Sequence, residues 1–288
     1  MNSATQATQK VLKLQHLPPL SATATRLLGM LSDDSFSLED LARVINQDPA
    51  LSARILGLAN SAYFGQVNPI YSVEEAIIRV LGLNMVKSLA FSLAVSGGFE
   101  TSRCRSFDLR KYWSHGLSIA MLSRQISLMA DAGQRVDPDG VYLAGLLFDI
   151  GVLVLVHEFP EDYARVLGML KQQSGRNRAQ LEREIIGISS GEAGAWLIDR
   201  WHLPEMIVQV VAQPDLSVAA QTHRQEILLV GAVAEWVKNG FYDDHGSSET
   251  GSTLEDCCGL SVEKLVTIKT NFLRKEEEVS AIAGMLAK

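Results

Sequence analysis

The chain has 288 residues, room for one large domain or two ordinary ones at roughly 150 residues each. Hydrophobic residues make up 47% and charged residues 20%, a balance that excludes bulk disorder. The formal charge of −7 has the wrong sign for a general nucleic-acid binder, whose affinity comes largely from Lys and Arg neutralising phosphates.

The polar opening, MNSATQATQK, lacks the apolar core of a signal peptide. Ser37-Leu-Glu-Asp40 reads as a capping box that opens a helix through Gln47. Asp48-Pro49 then starts another, because Asp accepts from orphan backbone N–H groups and Pro has none to lose. Leu51, Ile55, Leu58 and Ala59 give that helix its apolar spacing. Ser72 and Glu75 form a second capping box ahead of Ala76, Ile77 and Val80, and Gly82 ends the segment. Leu83, Val86, Leu89, Ala90 and Leu93 keep steps of three and four, so this short apolar run is a helix and not a strand.

Gly97-Gly98 and the polar run 100–106 mark a candidate internal boundary. Asp108 caps a long helix with Leu109, Tyr112, Trp113, Gly116, Leu117 and Ala120 on one stripe. Asp137-Pro138 leads into residues 141–156, apolar on nearly all sides, which predict a central helix covered by neighbours. That run contains Asp149 and is too short to span a bilayer. Helices follow from Pro160 to Gly175, over about 179–186, over 191–201 and over about 224–238. The polar segment 243–253 is expected to be a mobile loop, and the tail from Ser261 ends in amphipathic helices. The fold class is all-α, a multi-helix bundle.

Cys104, Cys257 and Cys258 form no CxxC pair, and their odd number suits a reducing, cytoplasmic setting. No GxGxxG, GxxxxGK[ST] or GxSxG element occurs, so nucleotide-binding and serine-hydrolase readings have no footing. Residues 187–194 offer a helix N-terminus that could hold an anion or simply cap itself. Trp196 and Trp201 flank an amphipathic helix and are expected to pack inward.

Asp149 carries the chemistry. It is the sole charge in an apolar stretch, and an unpaired buried carboxylate costs several kcal/mol. It needs a partner such as Arg, His or backbone N–H, a wet cleft, or a metal ion. His115, on the preceding long helix, is the natural partner. If the carboxylate is a relic, Asp149→Leu is tolerated.

Gln47-Asp-Pro-Ala-Leu-Ser-Ala-Arg-Ile-Leu-Gly-Leu-Ala-Asn-Ser61, the Leu-Gly-Leu within 77–93, Gly145-Leu-Leu-Phe-Asp-Ile-Gly151 and Gly194-Ala-Trp-Leu-Ile-Asp-Arg-Trp-His-Leu-Pro204 together resemble the HDOD domain, the HD-related output domain of bacterial signalling proteins. The resemblance runs over 14–214. It implies an N-terminal helical subdomain to about 99 packed on an HD-like half from about 107, with 215–288 a C-terminal helical extension. HD-type phosphohydrolases use a His, a His-Asp pair and a later Asp. By resemblance the first His is His115, the pair is Phe148-Asp149, the Lys often found next is Val152, and the late acid has only Glu235 as counterpart. Where relatives often keep another His this chain reads Ser189-Ser-Gly-Glu192.

Phe148 has no lone pair to offer, while a catalytic metal wants three or more protein ligands and an open position. His115, Asp149 and Glu235 are therefore expected to be a vestigial metal site, with no metal, no cofactor and no catalysis. The resemblance implies a non-enzymatic regulatory output module that binds other signalling proteins or a small signal, without nucleic acid or membrane. The alternative is a divergent metal-dependent phosphohydrolase acting on a phosphomonoester or cyclic nucleotide. The length leaves no room for an attached receiver or kinase, so a stand-alone partner of other regulators is expected.

Overall fold

The computed structural model describes residues 19–31, 33, 35–131, 133–172, 176–212, 222–238 and 249–288. Among them no residue lies in a strand. The expected helix stop at Gly175 and residues 243–248 of the expected polar loop lie outside the described residues.

The N-terminal half comprises α1 (Ala22–Leu31), α2 (Leu38–Asn46), α3 (Pro49–Ala59), a 3₁₀ turn (Ala62–Phe64), α4 (Val73–Ala76), which runs on as a wider π-type turn (Ile77–Leu81), and α5 (Leu83–Ser96). The predicted start signals work as chemistry requires. Ser37 accepts from the Asp40 N–H while Asp40 accepts from the Ser37 N–H. Asp48 accepts from the N–H groups of Ala50 and Leu51, with Pro49 at the first helical position. Ser72 caps α4 through the Glu75 N–H, but the Glu75 carboxylate reaches the Tyr71 N–H instead of closing the box on Ser72. Asn60 ends α3 by joining its amide to both the N–H and the C=O of Ile70, which clamps the intervening loop.

The second half holds α6 (Leu109–Met129), α7 (Pro138–Leu147), α8 (Ile150–Glu158), α9 (Pro160–Gln172), α10 (Arg178–Ile185), α11 (Ser190–Arg200), α12 (Glu205–Val211) and α13 (Arg224–Lys238). The apolar run 141–156 is two helices, not the continuous one its composition predicts. The chain turns at Phe148 and Asp149, where Asp149 adopts φ −102° and ψ 18°, off the helical ridge. Residues 138–158 are long and apolar enough to cross a membrane by composition, yet 89% of an 18-residue apolar window within them is buried inside the fold.

The tail belongs to the core. The chain continues through α14 (Glu249–Cys258), α15 (Val262–Leu273) and α16 (Glu276–Leu286), so residues 249–253 open a helix instead of continuing a loop. Leu254, Cys257 and Cys258 draw that helix onto α13 by their burial. α16 buries Val279, Ile282, Ala283 and Leu286 against α6 and α3, and the Arg110 guanidinium donates to the backbone and hydroxyl oxygens of Ser280.

α6 packs against α7, and α8 against α11, with backbone meeting backbone. Both depend on glycine. A Cβ at Gly145 would lie 2.6 Å from the Ala120 Cα, and one at Gly151 would lie 1.8 Å from the Ser190 carbonyl oxygen. These crossings bring α6 and α11 to the turn that carries Asp149. Gly151→Ala is accordingly expected to cost about 3 kcal/mol, the upper end for overpacking against immovable backbone. Urea denaturation measures it, and a loss under about 1 kcal/mol would show the crossing to be loose.

Candidate functional site

Four helices and one turn converge on a buried polar cluster. α6 supplies His115, the α7–α8 turn supplies Asp149, α10 supplies Arg178 and Glu182, α9 supplies Tyr163, and the start of α11 supplies Ser190. The Asp149 side chain is only 6% exposed, and its two oxygens face two different cations or donors. His115 Nδ1–H donates to Oδ2 at 2.6 Å, and an Arg178 terminal nitrogen donates to Oδ1 at 2.6 Å. Arg178 also sets its Nε 3.6 Å from Glu182, one turn on in the same helix. Glu182 is fully buried and accepts from the Ser190 N–H at 2.7 Å, the Ser190 hydroxyl at 2.9 Å and the Tyr163 hydroxyl at 3.3 Å.

Local sequence explains the placement. Asn177 caps α10 through the Gln180 N–H, so Arg178 leaves the first turn of a helix whose buried Leu181 anchors it to the core. Ser189 and Glu192 close a capping box on α11, and Arg183 pairs with that Glu192. The helix start that might have held an anion is thus filled by the chain's own Glu182 and Glu192.

Electrostatics divides the two carboxylates. Burial works against ionising Asp149, but the Arg178 and His115 charges and hydrogen bonds overcome it and hold its carboxyl well below the usual range. Glu182 goes the other way: burial raises its carboxyl above the ordinary value, with Arg178 and the Ser190 donors only partly offsetting.

Of the residues singled out from sequence, His115 and Asp149 meet, and Glu235 does not join them. The Glu235 side chain is 50% exposed on α13 and is bonded by Lys238 at 3.2 Å. Among the described residues no group of three or more His, Cys, Asp and Glu side chains is disposed to hold a metal ion. The residues present do not fit a resident divalent cation, since Phe148 offers carbon and the carboxylate's second oxygen already faces a guanidinium. Arg178 went unnoticed in the sequence. Its signal was the Arg178–Glu182 spacing of four, with the acid beside Leu181 on the inward face. Trp196 and Trp201 are half-buried, not central. The Arg200 guanidinium stacks over Trp196, and Trp201 sets its edge on Phe91.

Comparisons with known proteins bear on the family and the fold. The HDOD domain family profile matches residues 17–215. A candidate signal transduction protein from Marinobacter aquaeolei VT8 superposes with a TM-score of 0.83 at 24% identity, covering 100% of this chain and 67% of that one. An HDOD domain protein of unknown function from Geobacter sulfurreducens gives 0.77 at 22% identity, covering 98% and 97%. A candidate phosphohydrolase from Shewanella amazonensis SB2B gives 0.76 at 20% identity, covering 96% and 97%. At these identities the structures speak for the fold alone. An uncharacterized protein from Treponema pallidum (strain Nichols) is 25% identical over 208 residues, 69% of this chain, and the chain spans 37% of that relative's length.

Arg178 speaks against the expectation that Asp149→Leu is tolerated, because the substitution removes the nearer of the two carboxylates beside a guanidinium whose side chain is 30% exposed, leaving Glu182 at 3.6 Å. The expected loss is about 3 kcal/mol, and Arg178→Met in the same background recovers part of it, which a double-mutant cycle in urea reads as coupling above about 1 kcal/mol. Strict additivity would mean the pair does not interact.

A second expectation concerns pH. Because the native Asp149 carboxyl lies below its unfolded value of about 3.9, its stabilisation is present above that pH and fades as acid approaches the lowered native value. The stability gap between the natural chain and Asp149→Asn should therefore be level near neutrality and shrink below about pH 4. A gap that widens in acid would reverse the assignment.

Proposed function

We propose, from the premise that the chain belongs to the HDOD domain family, that it is a non-enzymatic regulatory module that works by binding other signalling proteins or a small signal in the cytoplasm. The observation that carries this is the double engagement of Asp149. In a metal-dependent hydrolase the carboxylate is the ligand of a cation that activates water. Here a guanidinium fixed in its own helix stands against that carboxylate, and Phe148 fills the neighbouring position with an apolar ring. The resulting charge pair ties α10 to the α7–α8 turn and to α6, a structural duty that needs no exchangeable ion. The signal-transduction description of the Marinobacter relative accords with this.

The rival is a divergent metal-dependent phosphohydrolase acting on a phosphomonoester or cyclic nucleotide. It draws on the retained 2.6 Å contact between His115 and Asp149. The phosphohydrolase descriptions of two Shewanella amazonensis relatives add a likeness of fold.

Metal analysis of the purified chain, joined to a phosphatase and phosphodiesterase screen with added Mn²⁺ or Mg²⁺, separates the two. The expected result is no stoichiometric metal and no turnover. Turnover that disappears in Asp149→Ala, together with a full equivalent of bound metal, would establish the hydrolase.

A further inference from the structure

Away from the Asp149 cluster, and sharing no residue with it, an open groove of about 450 Å³ lies between the 3₁₀ turn Ala62–Phe64, α5, α6 and Lys275. One wall is a helical stripe: Met121, Gln125 and Leu128 follow at steps of four and three along α6, with Arg124 beside them. Met85 of α5 and Met129 complete the apolar lining. Met121 is buried at the groove's floor, while Leu128 is 52% exposed and Met129 45%, so the end of this wall is open to an occupant. Methionine side chains are unbranched and polarisable, and they adapt to the shape laid against them.

The charge at the groove opposes that of the molecule. The chain's net charge is −7, yet the charged lining residues are both cations, Arg124 and Lys275. Asp139 takes the Arg124 Nε at 3.3 Å, and among the described residues the terminal guanidinium nitrogens have no hydrogen-bond partner. Lys275 stands over the Tyr63 ring at 4.6 Å and donates to the Tyr63 carbonyl at 3.3 Å, which holds its ammonium at the rim.

An apolar helical stripe with fixed cations at its edge is the receptor half of helix-in-groove recognition, and complementarity sets the partner's sign. We infer that this groove docks an amphipathic α-helix of a partner protein, one whose apolar stripe is flanked by Asp or Glu. The inference rests on the regulatory reading and names the kind of partner that reading requires.

The test uses the full chain and two fluorescent helical peptides. Both carry Leu, Met and Phe at steps of three and four; one is flanked by Glu, the other by Lys. Fluorescence anisotropy should show the acidic peptide binding at least about tenfold more tightly than the basic one. Leu128→Glu, at an exposed position, should weaken the acidic peptide about tenfold, and Lys275→Glu should narrow or reverse the preference between peptides. Equal binding of the two peptides, no binding of either, or affinities untouched by both substitutions would overturn the assignment. So would light scattering that shows a dimer dissociated by Leu128→Glu, which makes a second copy the occupant. A positive hydrolase screen would sink the regulatory reading itself, whereas a failed peptide titration without turnover sinks only the groove.

Discussion

One carboxylate, buried where the chain turns between two apolar helices, constrains the second half of the molecule. Asp149 sits too deep for water to solvate it, so its charge requires fixed partners. His115 and Arg178 provide them from two helices far apart in sequence, α6 and α10. Each partner makes demands of its own. Arg178 leans on Glu182, and Glu182 leans on the Ser190 donors at the start of α11 and on the Tyr163 hydroxyl. The result is a continuous polar chain through an apolar interior, and a half-satisfied version of it would be worse than none.

That chain bears directly on function. His115 stands 2.6 Å from one oxygen of Asp149, while the other oxygen faces the Arg178 guanidinium. A divalent ion would have to displace a guanidinium held by its own helix, beside a phenylalanine ring with nothing to coordinate it. A buried ion pair is weak grounds for claiming extra stability, since well-packed apolar residues often do as well. It fixes which helices meet and in what register.

How much was legible beforehand depended on distance along the chain. The caps at Ser37, Asp48, Asp108 and Asp137 were readable because a side chain and the N–H groups it satisfies lie within three residues of each other. The pairing of His115 with Asp149 was readable because two polar residues on consecutive apolar helices have few other places to go. The break at Phe148 was not readable, since a uniformly apolar run carries no periodicity to show where it bends. Arg178 was missed for a related reason: its local signal, an acid four residues on and beside Leu181, is shared with ordinary ion pairs on solvated helix faces. Glu235 illustrates the reverse, an acid in a plausible position that the fold turns toward Lys238 and solvent.

The amino-acid order alone determined the all-α class, most helix starts, and that Phe148, a side chain with nothing to coordinate a cation, stands beside Asp149. Each of these rests on interactions within a turn or two, or on what a side chain can chemically do. Tertiary structure decided which cation neutralises Asp149, that the C-terminal helices close over α6, and that an apolar stripe of α6 stays uncovered beside two positive charges. Those outcomes depend on which helices can approach one another, and that is set by packing across the whole chain, at glycines such as Gly145 and Gly151, where two backbones come into contact.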